Sequence, residues 1–218
     1  MSWKQMVNWE QGSWEHAEAI LSQVQDQMGH RIDAGILAPV VGLNLLGFHT
    51  TASCEGHLNW GCPYPWIEFY QEVNSPDYAQ AVEAASRLDA TSQERLEALG
   101  HANMLLARFL QQDPLYQALG ALLADYTTTK APAPKTGNTP CILFAPFAPG
   151  WYRLLAAEPS WWQRWEESER AENTSWWDRT PLQEQRQTLT HAQAEMATFA
   201  AFLKARWHAG TEREAVRV

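Results

Sequence analysis

The chain has 218 residues and a mass of 24.7 kDa, with 45% hydrophobic and 19% charged residues. That is enough for one sizeable core and excludes a disordered composition. A formal net charge of -9 disfavours nucleic acid and anionic membranes as partners of the whole molecule. No apolar run approaches the roughly 18 residues of a membrane span, the longest being broken by Pro39, Gly42 and Asn44. The amino-terminal stretch lacks the apolar core of a secretory signal, and three cysteines (Cys54, Cys62 and Cys141) cannot form a closed disulfide framework. Both features set the expectation of a cytoplasmic protein.

In chain order, Ser13 is placed to cap a helix in which Ala17, Ile20, Leu21 and Val24 recur at helical spacing, with Gly29 as a stop. Asp33 can cap a second helix carrying Ile36, Leu37, Val40, Val41, Leu43 and Leu45. Gly35, Pro39 and Gly42 make it kinked or tightly packed, and Gly47 ends it. Phe48 to Ser53 reads as a short extended segment, Asn59 to Pro65 as irregular chain, and Trp66 to Tyr70 as a buried strand. Ser75-Pro76 opens a helix to about Leu88, Thr91 and Glu94 form a capping box for the next, and Asp113-Pro114 starts a third ending near Tyr126.

Thr127 to Pro140 has the composition of a linker. Cys141 to Phe147 and Trp151 to Ala156 read as an antiparallel strand pair. Ser160 can cap a Trp-rich helix, and Thr180-Pro181 starts a final helix to about His208. The expected fold is α+β or α/β, not Rossmann: a single domain over 1–218 with a small sheet of three or four strands covered by helices. Residues 75–126 form a helical insertion and 127–140 a linker-like loop.

Chemistry concentrates in His49-Thr-Thr-Ala-Ser-Cys-Glu-Gly-His57, between two core-forming stretches. No Lys or Arg occurs between Arg31 and Arg87, so an anion bound there needs backbone N–H groups, protonated histidine or a cation from elsewhere, for which Arg153 is a candidate. Several readings stay open. A small-molecule pocket would use the loop's hydroxyls and amides, with Gly56 allowing close approach. A metal such as zinc would use His49, Cys54, His57 and Cys62, spaced by four, two and four residues. A nucleophilic Cys54 would need His57 or His49 to activate it, with Glu55 orienting the imidazole. In a purely structural segment Cys54 is a small buried hydrophobe, the hydroxyls satisfy a turn and His57 lies on the surface.

Ile32-Asp33, Pro39-Val-Val, Leu43-Asn44, Phe48 to His57 and Pro65-Trp-Ile-Glu-Phe69 together resemble the N-terminal core of the wybutosine-synthesis methyltransferase family. In that family an aspartate-started helix ending in Leu/Ile-Asn runs into Thr-Thr-Ser-Ser-Cys-Ser-Gly-Arg and then an apolar strand. The segment is also similar to bacterial and phage proteins carrying Thr-x-x-Ser-Cys-x-Gly-His. The resemblance covers roughly residues 31 to 70. It implies a non-Rossmann α/β fold and S-adenosylmethionine held by Thr50, Thr51, Ser53, Cys54 and Gly56. Glu55 stands for a serine and His57 for the arginine, which argues against a tRNA substrate. If methyl transfer is the reaction, Cys54, Glu55 and His57 are the catalytic candidates, with Glu55 or His57 as general base.

The 12 tryptophans offer a non-enzymatic alternative, a Trp-rich partner surface around residues 151–177, with Trp60 and Trp66 flanking the motif. The commoner role of such rings is to seal helix–sheet boundaries.

Overall fold

The structure, a computed structural model, describes residues 13–26, 28–58, 63–130, 139–160 and 176–215. Two helices, α1 (Trp14–Leu21) and α2 (Ala34–Leu45), precede the short strand β1 (Ala52–Cys54) and β2 (Trp66–Tyr70). Three helices follow, α3 (Pro76–Ser86), α4 (Gln93–Leu110) and α5 (Pro114–Thr129), then the hairpin β3 (Cys141–Ala148) and β4 (Trp151–Ala157). A short α6 (Trp176–Arg179) and the long α7 (Leu182–Ala215) close the described chain. The four strands form one antiparallel sheet in the order β1-β2-β4-β3. Helices segregated around an antiparallel sheet make this an α+β fold. α3, α4 and α5 lie between β2 and β3 and cover the stretch 75–126 that the sequence marks as helical.

Strand alternation gives the sheet two unlike faces. Ile67 and Phe69 of β2 stand opposite Leu154 and Tyr152 of β4, and all four are fully buried. α5 covers this face: the Tyr116 ring stacks on Phe144 at 4.8 Å between centroids and lies 5.7 Å from Tyr152. On the other face Arg153 pairs with Glu68 at 2.7 Å, its guanidinium 4.3 Å from the Trp66 ring and 4.9 Å from Phe147. Arg153 is thus committed to its cross-strand neighbours.

α2 is the centre of the helical layer. Ile36, Val40, Val41 and Leu43 are fully buried, and the helix carries no exposed polar stripe. α7 crosses it so closely that a Cβ on Gly42 would sit 2.7 Å from the Cβ of Leu203 and 3.1 Å from the Trp14 ring. At the C-terminal end of α2, buried Asn44 donates through Nδ2 to the Val40 carbonyl and to Thr50 Oγ1, both at 2.8 Å. Asn44 therefore holds the chain at Thr50 against α2. For this reason the strand begins at Ala52 and not at Phe48.

Other boundaries shift for local reasons. α1 ends at Leu21, eight residues before Gly29, because Asp26 Oδ1 accepts the amides of Met28 and His30 and turns the chain back. Ser92, not Thr91, caps α4 by accepting from the Arg95 amide at 3.2 Å, while Thr91 bonds Asp89. α5 runs on through Thr127, Thr128 and Thr129, whose hydroxyls donate back to carbonyls three or four residues earlier. The first part of the expected linker is therefore helix; 131–138, and the Trp-rich helix expected after Ser160, lie outside the described residues. Among the described residues no helix is long and apolar enough to cross a membrane.

Two polar networks brace the core. Asp113, 4% exposed, caps α5 through the Tyr116 amide at 2.9 Å and accepts from Gln71 and the Tyr152 hydroxyl at 2.8 and 2.6 Å. Glu195 accepts from the Tyr126 hydroxyl at 2.9 Å and pairs with Lys130. Burial first, and then the adjacent carboxylate, raise the ionisation of both tyrosines well above their ordinary value of about 10. A phenol whose folded pKa is raised contributes stability fully present below the unfolded pKa and lost above it. Unfolding free energy should accordingly fall as pH rises beyond about 10, and Tyr126→Phe with Tyr152→Phe should flatten that decline in denaturant titrations. Two of the helical glycines, Gly42 and Gly100, should respond with opposite signs to alanine. Gly42→Ala forces α2 from α7 at a cost of about 1–3 kcal/mol. Gly100→Ala, with open space around its Cβ, should gain up to about 1 kcal/mol from helix propensity. Urea midpoints of the two variants check this.

Candidate functional site

The segment His49 to His57 leaves α2, passes through β1 and turns at Gly56, and its side chains divide between two places. The first is a cleft of about 630 Å³, within the roughly 300–1,000 Å³ range of small-molecule sites. Thr50, Thr51, Ala52 and Ser53 form one wall, with Trp66 beside them. Gln25, Asp26, His30, Arg31 and Ile32 form the opposite wall, and Leu21, Val24 and Val40 supply apolar surface. The Asp26 turn, with Gly29 at φ +83°, brings Arg31 back to bridge with Gln25. Arg31 thereby supplies the cation that the segment itself lacks.

The second place lies at the N-terminus of α2. Asp33 is the N-cap residue but makes no side-chain bond to its own helix. Glu55 takes over that role: its Oε2 accepts the Gly35 amide at 2.9 Å, close enough that a Cβ on Gly35 would sit 2.6 Å from it. Asp33 Oδ2 in return accepts the Glu55 amide at 3.3 Å and lies 3.9 Å from His57 Nε2. Cys54 is buried beside them, and one ligand atom each from Asp33, Cys54 and His57 lie within 4.8 Å of one another. Gln193 of α7 donates to the Glu55 carbonyl at 3.2 Å.

Gly56 makes this turn possible. Its φ of +82° suits glycine, and a Cβ would meet Leu189 Cδ1 and the Pro63 carbonyl at 2.8 Å each. The close approach that glycine permits here is to the chain's own backbone.

Electrostatics at Cys54 favour the thiol. Burial is the largest influence raising its pKa, and the carboxylates of Asp33 and Glu55 raise it further. The Gly56 amide, 3.4 Å from the sulfur, and the charge of Arg153 oppose them. A resident thiolate nucleophile needs the reverse balance.

The residues named from sequence therefore separate. Thr50, Thr51 and Ser53 line the cleft; Cys54, Glu55 and His57 stand together outside its lining with Asp33. His49 is exposed and not part of that group, and Cys62 and Trp60 lie outside the described residues. Two residues escaped sequence reasoning. Asp33 was legible only as a helix cap, because its partners are more than 20 residues away; Arg31 bounded the cation-free gap, and only the Asp26-Gly29 turn signals its return. Of the tryptophans, Trp14 and Trp177 are buried, Trp177 donating to the Leu58 carbonyl at 3.2 Å, and Trp151 is 38% exposed.

No protein-family model, no curated protein and no solved structure matches this chain. The resemblance to the wybutosine-synthesis methyltransferases rests on sequence alone, over roughly residues 31 to 70.

The exchange of caps has a measurable consequence. Glu55→Ala should cost about 1 kcal/mol of stability, and Glu55→Gln, which keeps an acceptor oxygen, distinctly less. Equal chemical-denaturation midpoints for wild type and Glu55→Ala would show that the contact carries no weight.

Proposed function

We propose that this protein is a small-molecule-binding enzyme domain whose ligand occupies the cleft between β1 and the Gln25–Ile32 turn. One observation carries the reading: Thr50, Thr51 and Ser53, three residues singled out for ligand binding, line a cleft of about 630 Å³ together with Trp66 and Arg31. The lining suits a ligand with a planar ring for Trp66, hydroxyls for the threonines and serine, and an anionic end for Arg31. S-adenosylmethionine, the donor that the resemblance implies, has all three features. Cys54, Glu55 and His57 are not lining residues, so a general base for methyl transfer has to come from the lining groups, of which His30 and Asp26 are the candidates.

Thermal unfolding with S-adenosylmethionine and, separately, S-adenosylhomocysteine tests this. A ligand present at about 100 times its Kd should add about 2.7 kcal/mol of apparent stability. Thr51→Val together with Arg31→Ala should abolish the shift without lowering the ligand-free midpoint by more than a degree or two, as both side chains are exposed. A shift that survives in this double variant would place the ligand elsewhere, and the lack of any shift in the wild type would remove the methyl donor.

A further inference from the structure

We infer that Asp33, Cys54 and His57 form a binding site for a borderline divalent metal ion of the zinc class. The site lies at the N-terminus of α2 and does not depend on what fills the cleft. The three side chains offer oxygen, sulfur and nitrogen from three segments that the fold fixes independently: the start of α2, the end of β1 and the turn beyond Gly56. Their ligand atoms lie within 4.8 Å of one another, with Asp33 Oδ2 already 3.9 Å from His57 Nε2. Zinc bonds of about 2.0–2.3 Å hold tetrahedral ligand atoms roughly 3.3–3.8 Å apart. Closing the set requires the ligand atoms to approach one another by about an ångström.

The surroundings fit a cation. The positive end of α2 would repel one, but the Glu55 carboxylate already caps that end through the Gly35 amide. Asp33 adds a second negative charge, and the buried thiol adds a third on losing its proton. The Gly56 amide points at the sulfur at 3.4 Å, and a donated N–H favours the thiolate that a metal binds. The Glu55 amide, 3.3 Å from Asp33 Oδ2, orients the carboxylate in the way that supporting hydrogen bonds orient metal ligands. A mixed sulfur, nitrogen and oxygen set selects zinc, cobalt or nickel over magnesium or calcium. Binding releases one proton, the Cys54 Sγ–H bond being replaced by a sulfur–metal bond. Three protein ligands leave one tetrahedral position for water or a substrate oxygen, the pattern of a reactive site and not of a closed structural one.

Cobalt(II) titration of the full chain, reduced and stripped with chelator, tests the assignment. The expected result is one equivalent bound with a thiolate-to-cobalt charge-transfer band in the near ultraviolet, displaced by zinc. Asp33→Asn, close in shape and still able to accept the Glu55 amide, and His57→Gln should each weaken binding by roughly 100-fold or more, beyond the about 10–100-fold typical of residues that only orient a ligand. Cys54→Ser should remove the charge-transfer band. His49→Ala should bind as the wild type does. Absence of the band in the wild type overturns the assignment. So does wild-type affinity in folded Asp33→Asn, checked by far-ultraviolet circular dichroism, and so does loss of binding in His49→Ala with Asp33→Asn unaffected.

Discussion

The Glu55 carboxylate on the N-terminus of α2 is the contact through which the rest of this structure is connected. The first turn of a helix leaves amide donors that need partners outside the helix, and α2 is anchored by a run buried from Pro39 to Leu45. Its own N-cap residue, Asp33, makes no such bond with its side chain; Glu55, 20 positions beyond Gly35, accepts the Gly35 amide at 2.9 Å. The substitution fixes the loop after β1 on the helix end, and Asn44 fixes the entry to β1 on the other end of the same helix. β1, only three residues long, is thus held by α2 at both ends, which a strand so short at a sheet edge requires.

This tie determines the chemistry available to the segment. Asp33, released from capping, turns toward the loop and lies beside Cys54 and His57. Burial of the sulfur, and after it the carboxylates of Asp33 and Glu55, raise the thiol's pKa and disfavour the free thiolate. The same arrangement is well matched to a divalent cation, whose charge inverts the balance. A nucleophile would call for cations around the sulfur, and Arg153, the cation whose charge reaches it, is paired with Glu68.

Much of this architecture is visible in the sequence where the determining contacts are local. Ser13 and Asp113 cap the helices that follow them, and the Ala-Pro-Gly turn between β3 and β4 specifies their antiparallel pairing. Pro39 and Gly42 announce a helix that packs tightly, and α7 approaches at Gly42. The segment His49 to His57 stands out by composition alone. What sequence conceals is pairing at a distance. Asp33 has the signature of an N-cap, and nothing within four residues of it reveals that Glu55 displaces it. Glu68 and Arg153, 85 positions apart, become neighbours only through strand order, so Arg153 could be offered to the pocket until the register assigned it a partner.

The segment proves to be a divider and not a single site. Ile32 and Ser53 line the cleft; the residues that follow them, Asp33 and Cys54, present their polar atoms to the other place. For Ser53 and Cys54 this is the alternation of a strand, and for Ile32 and Asp33 it is the change of direction at a helix start. The two places differ in the side chains they collect. The cleft lining carries hydroxyls, an indole and the opposite charges of Arg31 and Asp26, while the other place gathers Asp33, Glu55, Cys54 and His57. The cleft lining and the Asp33, Cys54 and His57 group share no residue, so a ligand in the proposed cleft site would not consume the ligand atoms of the proposed metal site.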